Sequence, residues 1–465
     1  MDWIELLNRA QFHGAARLAS SRDRFQWLIA HLIFIFCSVA VVYVTVTRFY
    51  DNPTYIVQLT PVMSLKNFPT IVVCPQVHFL DHKIDEFLSK LVFPPSTNIT
   101  YIREVLPQLA ALYSSDTVYE VKDLESILEL LAYNKLDVES ASLRLTATCD
   151  ETILKCSWRG RDANCSSLFH MELTRYGFCC IFNGRSFRRE VREPKLIKKE
   201  VEKMHIYKMG IMYGLNIAIE QNVSKPPVNL DLSYKWITAL SPGNMYVDVV
   251  SNGVPIPPGI EVWAGYTMKS IQLSEEARSL SPKLRRCYLA NEPLKYFPVY
   301  QRRYCMFECK MDRVALRCKC ALLNYPPVLG MPICGPRQLA CARAAADRFD
   351  VCQCPLACEK ETLNTRHFSF PLTPDTPTYD TFYDNLDLSK VTIIRLYVHG
   401  YTKTVNSRRS YFSRSNLFGQ LGGVFNIFFG CSILTVLELL FLLRRYIRER
   451  RLATHQQRET WPFTR

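Results

Sequence analysis

Small and polar residues interrupt an apolar stretch near the C-terminal end of the chain, from Gly419 to Leu443. Four of them recur at intervals of four, three and four, on one face of a helix: Gly419, Gly423, Asn426 and Gly430. Ordinary helix packing in lipid also uses small residues at this spacing. Glu438 favours a role beyond helix packing, because a carboxylate inside a membrane span costs at least about 2.5 kcal/mol and normally faces water, a partner charge or a bundle interior.

The segment Gly430-Cys431-Ser432 presents a geometric problem. In a continuous helix Gly430 and Ser432 point about 200° apart, so they cannot both face one axis. Glycine lets the backbone open, and irregular backbone at membrane depth is tolerated where it is buried in protein or lines a water-filled cavity. The sequence therefore predicts an unwound segment with carbonyl and hydroxyl oxygens turned to an axis, where such oxygens replace the hydration shell of an ion.

Two apolar stretches position this segment: Trp27 to Thr47 and Gly419 to Leu443. Each is long enough, at about 1.5 Å per residue, to cross a hydrocarbon core of roughly 30 Å. A cleaved signal peptide is the alternative for the first stretch, but that stretch is too long, follows a polar lead and lacks a small-residue cleavage site. We expect a protein with two membrane spans.

Charge at the outer flanks predicts the orientation. Four Arg precede the first stretch and seven follow the second, which predicts that residues 1–26 and 444–465 are cytoplasmic. Residues 48–416 are then extracellular, at the plasma membrane, in agreement with N-glycosylation sequons at Asn98, Asn164 and Asn222. The net charge of +14 would also suit nucleic-acid binding. We expect no nucleic-acid partner, because the terminal basic residues lie beside membrane spans.

Sixteen of the eighteen cysteines lie between the two apolar stretches, where an oxidising compartment permits eight disulfides. Cys305 and Cys309 share one face of a predicted helix from Val299 to Leu316, and Cys352 and Cys354 would share one face of a strand. This predicts nested bridges: Cys287–Cys358, Cys305–Cys354, Cys309–Cys352, Cys318–Cys341 and Cys320–Cys334. Structural zinc at the paired cysteines is the alternative, but zinc pairs usually have about two to four intervening residues. We expect no structural metal.

The remainder of this region is predicted to be mixed α and β. Alternation predicts strands at Pro69–Val73, Met245–Val250, Glu261–Leu273 and Val391–Val398. Helical periodicity appears at Asp81–Val92, Asp123–Leu136 and Arg337–Phe349. We expect one sheet that leads into both spans, with the last strand running almost directly into the second span, and the cysteine-rich segment as a helical lobe at its side.

Four groups of residues resemble the degenerin/epithelial sodium channel family, and within it the insect pickpocket branch. They are His13-Gly14, Phe68-Pro69-Thr70-Ile71-Val72-Val73-Cys74, the ten-cysteine block, and Gly430-Cys431-Ser432-Ile433-Leu434-Thr435-Val436-Leu437-Glu438. The resemblance implies a trimeric, sodium-selective, amiloride-sensitive channel, homomeric or heteromeric, that binds no cofactor and passes Na⁺. It implies a hand-like outer domain with a central antiparallel sheet, a finger at about 80–200 and a thumb at about 287–358.

The resemblance also assigns roles to single residues. Gly430, Cys431 and Ser432 match the selectivity filter, and Glu438 matches a carboxylate below it. The motif His13-Gly14 matches a cytoplasmic re-entrant segment that influences opening. Two further bridges follow from the resemblance, and the two cysteines left over are expected to form a third: Cys74–Cys179, Cys156–Cys165 and Cys149–Cys180.

Two positions depart from the family pattern. Gln420 stands ten residues before the filter glycine, where some relatives have Asp, and Asn426 stands where Gly is usual. Together with Gly423 and Glu438 they are the expected pore and gate residues. A basic loop around Arg188 and Arg189 resembles sites of proteolytic activation, although a solvated loop is the simpler interpretation.

The sequence contains no phosphate loop, nucleophile elbow or zinc-protease motif, and we expect no enzymatic activity. The alternative to a channel is a two-span surface receptor, adhesion protein or accessory subunit that conducts only beside other subunits. No residue identifies the gating stimulus or an extracellular ligand.

Overall fold

The computed structural model describes most of the chain. The residues described are 3–10, 13–51, 53–62, 66–76, 78–95, 97–115, 117–184, 204–220, 236–242, 247, 249–292, 294–297, 299–325, 331–347, 352–373, 380–411 and 414–459. The chain forms two compact units. The first comprises Met1–Val57, Leu273–Arg286 and Arg408–Arg465, and the second comprises Gln58–Gln272 and Cys287–Ser407.

The first unit is helical. Its helices are Trp3–Arg9, Ala15–Ala19, Arg24–Asp51, Glu275–Arg278, Pro282–Arg285, Arg414–Phe429 and Ile433–Glu459. Arg24–Asp51 has a window of mean hydropathy 2.4 of which only 6% is buried, so it presents apolar side chains outward along its length. Among the described residues it is the one unbroken helix that is long and apolar enough to cross a membrane. Phe418–Phe429 and Ile433–Glu449 meet the same criterion together and are bent by 64° at a short break.

Most of the strands belong to two sheets. The strands are β1 Thr54–Leu59, β2 Lys66–Asn67, β3 Thr70–Pro75, β4 Ile153–Trp158, β5 Arg161–Ala163, β6 Phe169–Leu173, β7 Phe178–Phe182, β8 His205–Ile206, β9 Leu215–Glu220, β10 Trp236–Ser241, β11 Val254–Ile256, β12 Ile260–Leu273, β13 Lys360–Pro371, β14 Val391–Val398 and β15 Thr404–Ser410. The larger sheet has the order β1-β15-β12-β14-β9-β4-β5, with β13 also on β12, and the smaller has the order β11-β10-β3-β7-β6.

The central strands are mostly apolar because both of their faces are covered. Every residue of β3 and β7 is buried, as are all residues of β14 except Tyr397. The expectation of a purely antiparallel central sheet is wrong at one pair: β12 and β14 run parallel, with Glu261 opposite Ile393 and Tyr266 opposite Val398. The reason is topological, since a long excursion separates these strands and allows the chain to re-enter in the same direction.

Helices of the second unit pack at the side of the sheets. The α-helices are Asp81–Ser89, Ile99–Val105, Val121–Tyr133, Val138–Leu145, Cys149–Thr152, Cys165–Leu168, Val249–Asn252, Arg302–Cys318 and Pro336–Asp347, and the 3₁₀ segments are Leu106–Leu112, Ile211–Tyr213 and Thr381–Tyr383. The cysteine-rich segment shares its core with the helices that precede it in the chain. Val314 and Leu339 of that segment join the same buried cluster as Leu109, Leu124 and Ile127.

Eight disulfides crosslink the second unit. They are the pairs that the sequence analysis predicts. The bonds are Cys74–Cys179, Cys149–Cys180, Cys156–Cys165, Cys287–Cys358, Cys305–Cys354, Cys309–Cys352, Cys318–Cys341 and Cys320–Cys334. The zinc alternative is wrong for these cysteines, because Cys318 and Cys320 bond to different partners. Cys37 and Cys431 are free.

Three local predictions are wrong. Val249–Asn252 is a helical turn rather than the end of a strand, closed by a hydrogen bond from the Gly253 N–H to the Val249 carbonyl at 2.7 Å; residues 243–246 and 248 lie outside the described residues. Cys352 and Cys354 do not lie on a strand, since the Cys354 N–H donates to the Cys352 carbonyl at 3.1 Å and curls the chain. The last strand before the second apolar stretch is β15, which the polar sequence Thr404–Ser410 concealed.

Candidate functional site at the helix break

Gly430 ends the helix Arg414–Phe429 because it adopts the left-handed conformation. Its φ is +62°, and its N–H donates to the Asn426 carbonyl at 2.8 Å. A left-handed glycine immediately after the last helical residue is a common helix stop, since it carries no Cβ to clash with the backbone. The prediction that the backbone opens at this glycine therefore agrees with the structure.

Ser432 starts the helix Ile433–Glu459 as its N-cap. Its hydroxyl accepts from the Thr435 N–H at 3.2 Å, and the Ser432 N–H donates to the Thr435 hydroxyl at 3.2 Å. A serine cap satisfies N–H groups that lack a partner in the first turn. The expectation of a hydroxyl turned to a pore axis missed this role, although a serine directly before an apolar helical run is a visible N-cap signal.

The motif His13-Gly14 lies against the break. The His13 N–H donates to the Phe429 carbonyl at 2.9 Å, one residue before Gly430. A Cβ on Gly430 would lie 2.5 Å from His13 Nε2, so the absence of a side chain at position 430 gives the His13 ring its place. Two residues that are far apart in sequence, and that the family resemblance both singles out, are thus in contact.

Gly14 is fixed by packing as well as by its backbone. It has a φ of +79° and precedes the helix Ala15–Ala19. A Cβ on Gly14 would lie 2.7 Å from the Trp27 ring and 2.8 Å from the His31 ring. The turn therefore needs glycine twice over, once for the left-handed backbone and once for the close approach to the helix Arg24–Asp51.

The other expected pore residues lie on the surface of the C-terminal helices. Gln420 and Asn426 are exposed, while Gly423 and Glu438 are half-buried. Within the part of the chain that the structure describes, added Cβ atoms at the three glycines of the preceding helix would meet nothing within 4 Å: Gly419, Gly422 and Gly423. The same helix packs on the first apolar helix through Phe34 and Phe428, whose ring centroids are 6.1 Å apart.

A buried charge network stabilises the larger sheet and was missed by sequence reasoning. Arg395 of β14 is 2% exposed and pairs with Glu261 at 2.6 Å and Asp380 at 2.7 Å. Glu261 also accepts from Trp263 Nε1 at 2.7 Å and from the Tyr383 hydroxyl at 2.6 Å. The signal in the sequence is a single arginine within an otherwise apolar strand.

Each charge in the network retains a partner. Burial by itself would lower the pKa of Arg395, but the carboxylates of Glu261 and Asp380 raise it, and the net shift is upward. Burial, followed by the hydrogen bond to Glu261, raises the pKa of Tyr383 to about 12. Arg395 therefore stays charged and Tyr383 stays a neutral donor at physiological pH.

The sites of modification are only partly described. Asn98 and Asn164 are exposed N-caps of short helices. Asn222 and the basic loop with Arg188 and Arg189 lie outside the described residues. In the described parts of the chain, His, Cys, Asp and Glu form no group of three or more that could hold a metal ion.

The structure combines a disulfide-rich β domain with an apolar helix pair broken at a glycine. A family model described as "Amiloride-sensitive sodium channel" matches residues 6–442, and the chain belongs to this family. Its members are ion channels, and they form multimeric channels. The alignment covers nearly the whole chain, including both the motif His13-Gly14 and the helix break.

The similar proteins are insect and vertebrate channels. Sodium channel protein Nach of Drosophila ananassae is 25% identical over 96% of this chain and 87% of its own length. Pickpocket protein 19 of Drosophila melanogaster is 24% identical over 83% and 79%. Human acid-sensing ion channel 2 is 23% identical over 64% and 58%. A solved proton-activated chloride channel aligns with a TM-score of only 0.31 at 7% identity.

Proposed function

We propose that this chain is a subunit of a sodium-selective, amiloride-sensitive, voltage-independent cation channel of the plasma membrane. The observation that carries the proposal is the break at Gly430, Cys431 and Ser432 within an apolar helix pair. Irregular backbone at membrane depth must be buried in protein or line a water-filled cavity. Conduction of ions through a constriction lined by oxygen atoms is the function that fits this position best.

The proposed topology has two spans and cytoplasmic ends. The first span is the helix Arg24–Asp51, and the second combines Arg414–Phe429 with Ile433–Glu459. The arginine-rich tail after Leu443 supports an inward C-terminus. The eight disulfides support an extracellular position for the residues between the spans, because disulfides persist in oxidising compartments.

The proposed assembly is a trimer, of identical or related subunits, with the C-terminal helices around the axis. The open space beside the backbone of Gly419, Gly422 and Gly423 supports close approach of another helix at this face. Gln420 and Asn426 would line the outer part of the pathway, and Glu438 the part beyond the break. Na⁺ is passed rather than retained, and the pore opens in response to an extracellular chemical, osmotic or mechanical stimulus.

Two-electrode recording in oocytes tests the proposal. Ser432→Phe should abolish or strongly alter the sodium current, because it removes the N-cap and places a large ring at the constriction. Ile433→Phe is the matched control, since it adds a ring at the adjacent position, where the side chain is 82% exposed. Surface biotinylation checks that the variants reach the cell surface in comparable amounts. Addition of amiloride tests block, and replacement of sodium in the bath tests selectivity.

A non-conducting receptor or accessory subunit gives a different result. In that case the chain alone would carry no amiloride-sensitive current at normal surface levels, and Ser432→Phe would leave ligand or cell binding unchanged. Coexpression with a related subunit separates the remaining cases: an accessory chain changes the partner's current, and Ser432→Phe alters that current only if this chain lines the pore.

A further inference from the structure

We propose that the Cys309–Cys352 disulfide is a modification site for low-molecular-weight thiols. The incoming thiol becomes bonded to Cys309, and Arg313 stabilises Cys352 as the thiolate that leaves. This chemistry belongs to the second unit and does not rest on the proposed channel function.

Arg313 contacts both sulfur atoms of this bridge. It lies four residues after Cys309 on the helix Arg302–Cys318, so the two side chains share one face. Its Nη2 donates to Cys352 Sγ at 2.8 Å and to Cys309 Sγ at 3.4 Å, and its Nη1 donates to the Ala345 carbonyl at 3.3 Å. A guanidinium beside a sulfur stabilises the thiolate, which is the form that a breaking disulfide releases. The shorter contact makes Cys352 the better leaving group.

The two carboxylates nearest to Arg313 along its own helix have other partners. Glu308 accepts from the backbone N–H groups of Lys295 and Phe297, each at 3.1 Å. Asp312 pairs with the Lys295 ammonium group at 2.7 Å. Both carboxylates are thus occupied by groups of the segment that precedes the helix, and they leave the guanidinium charge to act on the sulfurs.

The bridge is accessible to a small thiol. Both of its cysteines are half-buried, which among the bridges of the described residues is otherwise true only of Cys305–Cys354. Cys305–Cys354 lies one helical turn away and borders a cavity of about 570 Å³. Access alone would therefore favour reaction at Cys305–Cys354, whereas the guanidinium favours reaction at Cys309–Cys352.

The exchange conserves atoms and electrons. A thiolate RS⁻ attacks Cys309 Sγ, the bond between the two protein sulfurs breaks, and Cys352 leaves as the thiolate beside Arg313. Cys309 then carries the group SR in a mixed disulfide. A second RS⁻ releases Cys309 as a thiolate and forms RSSR. Two small thiols are thus oxidised, one protein disulfide is reduced, and the two protons that the small thiols lose pass through water to the two protein thiolates.

Reduced glutathione is the probe that tests the proposal. The full-length protein in lipid nanodiscs is treated with it for increasing times, free thiols are trapped with N-ethylmaleimide, and tandem mass spectrometry identifies the group on each cysteine. In the wild type the first products should be glutathione on Cys309 and maleimide on Cys352, before any reaction at Cys305 or Cys354. Earlier reaction at Cys305–Cys354, or glutathione mainly on Cys352, overturns the proposal.

Arginine variants separate the charge of the guanidinium from its packing. A cation beside an anion commonly favours the charged form by about tenfold or more. A leaving sulfur carries only part of that charge while the bond breaks, so Arg313→Met should slow the reaction at Cys309 by about threefold or more. If Arg313 only held the helices together, its loss would loosen the bridge, so an equal or faster rate in Arg313→Met overturns the proposal.

Arg317→Met is the matched control, because it removes an exposed arginine one turn further along the same helix. It should keep the wild-type rate. A similar slowing in Arg317→Met would also overturn the proposal, since net charge rather than contact with the sulfurs would then set the rate. The order of reaction in the wild type needs no variant, and it decides the matter if Arg313→Met does not fold.

Discussion

Replacing Arg395 with Met should be one of the most destabilising single changes in the second unit. The Arg395 side chain is 2% exposed, and its removal leaves Glu261, which is 7% exposed, and Asp380, which is 20% exposed, facing each other without the cation between them. Removing one member of a buried ion pair costs about 3–5 kcal/mol, because an uncompensated charge remains. Met fills much of the same volume, so the loss of stability would be caused by the missing charge rather than by a cavity.

The expected magnitude follows from the size of the unit. The second unit has 336 residues. At about 2.1 cal/mol/K of unfolding entropy per residue, each kcal/mol lowers the Tm of such a unit by roughly 1.4 °C, so the change should lower the Tm by roughly 4–7 °C. The assay is thermal unfolding of detergent-solubilised full-length protein, followed by size-exclusion chromatography, together with surface biotinylation of expressing cells. Surface delivery should fall in parallel, since secretory quality control retains unfolded chains.

Two comparisons sharpen this prediction. Arg103→Met is the control, because Arg103 and Asp85 form an exposed pair with side chains that are 45% and 57% exposed, and such pairs contribute about 0–1 kcal/mol. Adding Glu261→Gln to Arg395→Met should recover part of the lost stability, because it removes one of the two orphaned carboxylates. A Tm for Arg395→Met within about 2 °C of wild type, or a double variant no better than the single one, would refute the reasoning.

Three further predictions follow from the structure. Gly430→Ala should destabilise the left-handed backbone at the break by about 1–2 kcal/mol, enough to change the sodium current about fivefold or more at equal surface expression. Adding His13→Ala should recover only the part of this change that is due to the clash with the His13 ring. Serine at both Cys287 and Cys358, which close a loop over a separation of 71 residues, should cost about 2–5 kcal/mol, and an unchanged Tm under non-reducing conditions would contradict it. Asn98→Asp and Asn98→Gln should both remove one glycosidase-sensitive band shift. Only Asn98→Gln should also lower the free energy of unfolding, by about 1 kcal/mol, and with it the Tm, because Asp keeps the cap on Thr100 and Tyr101.

Short-range patterns in the sequence predicted much of the architecture. The apolar stretch from Trp27 corresponds to the helix Arg24–Asp51, and β14 has the predicted bounds Val391–Val398. The cysteine spacing within Arg302–Cys318 placed Cys305 and Cys309 on one helical face, and the structure joins them to Cys354 and Cys352. These features depend on periodicity and on side-chain reach, which a sequence displays directly.

Other features depend on which distant segments meet. The strand β15 is polar along most of its length, so alternation could not reveal it, and the helical turn at Val249–Asn252 has the composition of a strand. The parallel pairing of β12 with β14 follows from the path of the chain. Local sequence contains no record of that path, because strand direction is set only when the sheet assembles.

The sequence by itself indicated that the C-terminal apolar helix breaks at Gly430, because Gly430 and Ser432 would point about 200° apart in a continuous helix and glycine lets the backbone open. Only the tertiary structure decided what meets the break. The bond between the His13 N–H and the Phe429 carbonyl joins segments hundreds of residues apart along the chain, and His31 Nε2 lies 2.9 Å from the carbonyl oxygen of His13, which is outside its own helix. Backbone carbonyls are present at every residue, so no residue type in the sequence marks the ones that these donors select.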